Sequence, residues 1–335
     1  MPGPTRIGDG DGIGNTDRDG IGNQDGDGKR TLIAIIAAPS NLGLRPPYPT
    51  SVPGTAKAPE ALREAGLFAR LAEEAGARDA GAVLAGRYAD DATPGRLRNQ
   101  DAIIEHARRL AQRIAEVRTA GDFPLVFGGD CSLLVGVGLA LRATGGRFGL
   151  VHLDGHTDFR NPGNSDACAA LAGEDLAAAI GRHWPAIADI DGLGPYFDPA
   201  DTVHAGCRDD DEELAETQEA ISLVIRASDI IRDGAEATAD RIREHADRPD
   251  LDGYWLHVDV DILDASVMPT VDSPDPGGLQ ADQLTELLTV LAPRAIGAHV
   301  GVFDPDLDPD GHYARLLTDV VAEGLSRLGT KRSGA

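Results

Sequence analysis

Leu150-Val151-His152-Leu153-Asp154-Gly155-His156-Thr157-Asp158 is an apolar run of strand type that empties into three metal-binding side chains spaced two residues apart. Trp255-Leu256-His257-Val258-Asp259-Val260-Asp261 repeats the arrangement further along, with two more. In a parallel sheet the ligand site lies beyond the carboxyl ends of the strands. Acidic motifs at two strand ends therefore bring Asp154, His156, Asp158, Asp259 and Asp261 to one edge. Five hard or borderline donors exceed what one small cation needs, so the motifs read as a pair of divalent ions sharing carboxylates, an arrangement that activates water.

Outward from these motifs, short apolar runs alternate with longer helical stretches. Strand-type runs fall at 32–37, 123–127, 148–153, 203–205, 223–225, 254–258 and 295–303, and helical patterns at 58–75, 100–120, 281–291 and 314–328. Such alternation implies right-handed crossovers and a mostly parallel central sheet covered on both faces, a three-layer α/β/α domain. A third site segment, Gly128-Gly129-Asp130-Cys131-Ser132, follows a strand and precedes a helix.

The 335-residue chain is 41% hydrophobic, enough for one large core over residues 31–330, with 331–335 a short tail. Its formal charge of −24 argues against nucleic acid and anionic membrane surfaces and suits a small cationic or neutral substrate. Cys131, Cys168 and Cys207 are too few and scattered for a disulfide framework, no apolar run is long enough to span a bilayer, and the polar N-terminus lacks a signal-peptide core. A cytoplasmic protein is expected. Residues 1–30 are rich in Asp and Gly, as in Asp9-Gly10-Asp11-Gly12, and read as a disordered tail. Calcium binding is the weaker alternative, since no closing Glu is present.

Taken in order, Ala58-Pro59-Glu60-Ala61-Leu62-Arg63, the Gly128–Ser132 turn, Asp154-x-His156-x-Asp158, Asp259-Val260-Asp261 and Pro274-Asp275-Pro276-Gly277-Gly278 resemble the ureohydrolase superfamily of arginase, agmatinase, guanidinobutyrase and formiminoglutamase. The resemblance implies two ions, manganese as a rule, that activate water for attack on a guanidinium or amidine carbon. It makes Asp154 and Asp259 the bridging carboxylates, His156 and Asp261 ligands of one ion, and Asp158 with the residue at Cys131 ligands of the other. It also implies a homo-oligomer, a trimer or hexamer.

Three departures shape the functional expectation. Cys131 stands where the family carries a ligating His, and a thiolate there makes the pair more negative than an imidazole would and favours zinc, iron or cobalt. Val302 occupies the position of a guanidinium-pairing glutamate, which disfavours arginine as substrate; Asp304, two residues on, is a candidate replacement. No histidine occurs in residues 159–173, where the family has a proton shuttle, leaving Glu174, His183 and His299 as candidates beside Asp158, the expected hydrogen-bond acceptor of the attacking water. His152 and His257 each precede a bridging Asp by two residues, share its strand face, and are expected to hydrogen-bond a ligand carboxylate. Two functions follow: a binuclear C–N hydrolase of linear amidines or guanidino-derived molecules, or a non-catalytic relative that binds a metabolite or partner.

Overall fold

A computed structural model describes residues 32–331, together with Gly3. The expectations for the Asp/Gly tail, calcium binding included, lie outside the described residues. Eight strands form one sheet: β1 (Ile33–Ala38), β2 (Arg78–Ala82), β3 (Phe123–Gly128), β4 (Gly149–Leu153), β5 (Thr202–Ala205), β6 (Leu223–Ile225), β7 (Tyr254–Asp259) and β8 (Ala295–Gly301). Their order is β2-β1-β3-β8-β7-β4-β5-β6, and every pairing is parallel.

Alternation along each strand feeds two cores, because successive side chains leave opposite faces of the sheet. On β7, Tyr254, Leu256 and Val258 join one core with the helices Leu67–Ala75, Ala235–Ala246, Ala281–Leu291 and His312–Leu325. Trp255 joins the other, beneath Gln100–Thr119 and Leu133–Arg142. The sheet is thus covered on both faces, the three-layer arrangement expected from the sequence. No helix among the described residues is long and apolar enough to cross a membrane.

Differences from the sequence reading have local causes. The helical pattern over 58–75 is two helices, Ala58–Glu64 and Leu67–Ala75, separated by Gly66 at φ +93°. The last strand stops at Gly301 because Val302 takes φ +73°, a backbone state rare for a β-branched residue. Strand β2, with sequence RDAGA, has no apolar run to announce it; it is a half-exposed edge held by its ladder to β1.

Candidate active site

Strands β4 and β7 are neighbours in register, Leu153 opposite Val258, so the loops that follow them start side by side. The loops interlock through their own polar groups. The Gly155 amide donates to Asp261 Oδ1 at 3.0 Å, the His156 amide to Asp154 Oδ1 at 2.7 Å, and the Asp261 amide to Asp259 Oδ1 at 2.8 Å. Gly155 is required by close approach, since a Cβ there would meet the Asp261 carbonyl at 2.5 Å. Arg208, buried, donates its Nη2 to the carbonyls of Asp261, Leu263 and Asp275 and so pins the second loop. After β3, Gly129 passes so close to Ser40 that only glycine fits, and two residues on Cys131 reaches Asp259.

The carboxylates meet at one place. Ligand atoms of Asp154, His156 and Asp261 lie within 4.8 Å of one another, as do those of Cys131, Asp154, His257 and Asp259, and those of His152, Asp154 and Asp158. Asp154 belongs to all three groups. Burial, then Asp158, Asp261 and Asp259, pushes the Asp154 carboxyl well above its ordinary range. Burial and Asp261 do the same to Asp259, and burial and Asp175 to Asp158. Asp261 is also pushed up by burial, but His156, the Gly155 amide and Arg208 bring it below the usual carboxylate value. Burial would depress His156; Asp261, Asp158 and Asp275 instead hold it up at about 11. These donors fit divalent ions: mutually repelling buried carboxylates, an Asp154 Oδ2 without a hydrogen-bond partner among the described residues, and an imidazole and a thiol alongside. Cys131 is fully buried and donates to Asp259 Oδ2 at 2.9 Å; burial and the Asp259 charge raise its thiol well above the ordinary value.

Beneath the carboxylates, four neighbouring strands each present a histidine at one register level. His204, His152, His257 and His299 pair across β5, β4, β7 and β8. All four are fully buried. His152 Nδ1 is 2.9 Å from His204 Nδ1, the His152 and His257 rings stack at 4.2 Å, and His257 Nδ1 is 2.6 Å from His299 Nε2. Asp175, also fully buried, lies 3.3 Å from His152 Nε2. His152 and His257 lie under Asp154 Oδ2, at 3.8 and 3.4 Å, but the expected hydrogen bond to a ligand carboxylate is not formed by either ring: His152 Nε2 pairs with Asp175 instead, and His257 Nε2 has no hydrogen-bond partner among the described residues. No local signal in the sequence marks Asp175, which sits in a short helix, Asp175–Ala179, outside the motifs.

Above the carboxylates opens a cavity of about 480 Å3. Asp158, Asp259 and Asp261 line it together with His156. Leu44, Ala170, Ala172 and Val302 give it an apolar wall beside buried Arg208, while Arg45, Asp210, Glu212, Asp272 and Asp275 face solvent at its mouth. His183 and His299 do not line it. His183 Nε2 is bound to Glu174 Oε2 at 2.9 Å and its Nδ1 accepts from the Trp184 amide, so both nitrogens are committed to the fold, and Glu174 spends its other oxygen on the Ala169 and Ala170 amides. His299 lies under the site in the histidine row. Asp304 turns away, accepting from the Gly54 and Asp306 amides. Asp211, in the loop after β5, accepts from the amide and hydroxyl of Thr157 and steadies the first metal-binding loop.

The family model described as the arginase family matches residues 32–326. An arginase of Bacillus caldovelox is 31% identical over 74% of this chain and 81% of its own length, and a formimidoylglutamase of Chromobacterium violaceum is 27% identical over 66% and 68%. The native crystal structure of the B. caldovelox arginase superimposes with a TM-score of 0.76 at 28% identity, covering 88% of this chain and 98% of that one.

Proposed function

This chain belongs to the arginase family, and from that premise we propose that it is a hydrolase that uses two divalent ions to cut a C–N bond in a small linear amidine or guanidino-derived molecule other than arginine. The observation that carries the reading is the convergence of Asp154, His156, Asp158, Asp259 and Asp261, with Cys131 against Asp259, at the floor of one cavity. Asp154 and Asp259 would be shared between the ions, His156 and Asp261 would complete one, and Asp158 and Cys131 the other. Manganese is the first choice by family; the thiol brings zinc, iron or cobalt within range. Ions held there supply a water that is nucleophilic near neutral pH and polarise the bond to be cut.

The rest falls to the chain itself. Asp158 Oδ, open to the cavity, accepts a proton from the attacking water; His183 and His299, committed elsewhere, do not. The substrate's reactive end meets Val302, Ala170 and Ala172, none of which pairs with a cation. A free guanidinium seated there forgoes a charge-assisted hydrogen bond of about 1.5–3 kcal/mol. Asp210, Glu212, Asp272 and Asp275 outnumber Arg45 at the mouth, and this net acidity favours a substrate whose positive charge lies at the far end. By family resemblance and composition, the protein acts in the cytoplasm as a homo-oligomer, a trimer or hexamer.

Elemental analysis of purified protein, followed by a screen of amidines, guanidines and amides for ammonia or urea release, tests the reading. Two ions per chain and turnover of a substrate other than arginine are expected. A chain that holds no divalent ion under any loading would instead be a binding protein.

A further inference from the structure

Trp255, His299 and His257 form a directed chain of hydrogen bonds. An indole N–H can only donate. Trp255 Nε1 lies 2.9 Å from His299 Nδ1, which must therefore accept. Burial keeps His299 neutral, at about 3, so its single proton sits on Nε2. That Nε2–H points at His257 Nδ1, 2.6 Å away, which in turn must accept. A ring that accepts at Nδ1 carries its own proton on Nε2. His257 Nε2 faces Asp154 Oδ2 at 3.4 Å, and neither buried atom has a hydrogen-bond partner among the described residues, which leaves them to each other.

We propose that Trp255, through His299, fixes the tautomer of His257 so that a permanent N–H donor is held against the inner oxygen of Asp154, making His257 a positioning residue for the bridging carboxylate. The inference rests on the metal-bridging role proposed for Asp154. It separates two rings that look alike: His257 belongs to a potential ligand group with Cys131, Asp154 and Asp259, yet the direction of the chain denies its Nε2 a lone pair for a metal. His152 is under no such constraint, because its Nδ1 partner, His204 Nδ1, can donate or accept. The donor compensates for Cys131, since an N–H on Asp154 withdraws charge from a site that a thiolate would make more negative.

The test is tautomer assignment by long-range proton–nitrogen correlation on full-length protein labelled with 15N-histidine, with and without zinc, alongside zinc affinities. In the wild type, His257 and His299 should both be Nε2–H tautomers, and zinc should leave them so. W255F, remote from the carboxylates, should introduce the Nδ1–H form at both rings. H257L should weaken zinc binding roughly 10–100-fold, the range for loss of a group orienting a metal ligand, and H257Q, whose amide can still donate, should restore most of it. An unprotonated His257 Nε2 in the zinc-loaded wild type would make it a ligand and overturn the proposal. So would unchanged tautomers in W255F, or an H257L protein that binds zinc like the wild type. If the wild type binds no divalent ion, the functional reading fails, and the tautomers alone decide the relay.

Discussion

Cys131 Sγ lies 2.9 Å from Asp259 Oδ2, the thiol donating to a carboxylate whose other oxygen receives the Asp261 amide. A sulfur in that place can lose its proton to become a ligand, or keep it and merely hold Asp259. If it ligates, C131H replaces an anion by a neutral donor and should shift metal preference from zinc towards manganese, while C131A should lose one of two ions. Metal stoichiometry after loading with each metal decides this. Unchanged content and preference in both variants would end the ligand assignment.

Metal binding should also appear as stability. Asp154, Asp158 and Asp259 repel one another in a buried site, so ions that bind the folded chain alone will raise its melting temperature. At an ion concentration about 100 times Kd the gain is about 2.7 kcal/mol per ion. Chelator treatment should lower the melting temperature and add-back should restore it. D261N, which removes a charged donor from the His156 group, should show a smaller response; a response equal to the wild type would exclude Asp261 as a ligand.

The parts legible in sequence were those whose signal is local. The run 150–153 ending on Asp154 and the run 254–258 ending on Asp259 announced strands, loops and donors together, and the helix Ala281–Leu291 was readable to the residue from its apolar spacing. What was not legible depends on register between strands distant in sequence. That His204, His152, His257 and His299 stand in one row follows from the β5-β4-β7-β8 order, which no local pattern encodes. The commitment of His183 to Glu174 and the turning away of Asp304 are likewise tertiary facts.

Away from the site, His106 gives a prediction about pH. It is buried, bound through Nε2 to the Val83 carbonyl, and burial lowers its pKa below the ordinary value. The unfolded chain therefore takes up a proton near pH 6.5 that the folded chain refuses. The stability associated with a neutral His106 is fully present above that pH and is lost as pH falls towards the folded-state value. In H106Q, denaturant midpoints measured between pH 7.5 and 5 should fall less steeply than in the wild type. An identical slope would mean that His106 is not held neutral by the fold.

Val302 joins backbone strain to specificity. It sits at φ +73°, fixed by the hydrogen bond its amide donates to the Gly129 carbonyl at 2.6 Å, and lines the same cavity as Ala172 and Asp259. A β-branched side chain is among the least suited to that backbone state, whereas glutamate, unbranched at Cβ, enters it at less cost. V302E should thus fold, and should place a carboxylate where a guanidinium would otherwise meet an apolar wall. A charge-assisted hydrogen bond of about 1.5–3 kcal/mol corresponds to roughly a 10–150-fold gain in kcat/KM for guanidine substrates, if it is fully realised in the transition state. Turnover of uncharged amides should not gain, because they carry no charge to pair. Urea and ammonia release from arginine, agmatine and neutral amides, measured for wild type and V302E, tests the assignment. Robust urea release from arginine by the wild type, or a V302E enzyme with unchanged preference, would remove Val302 as the determinant.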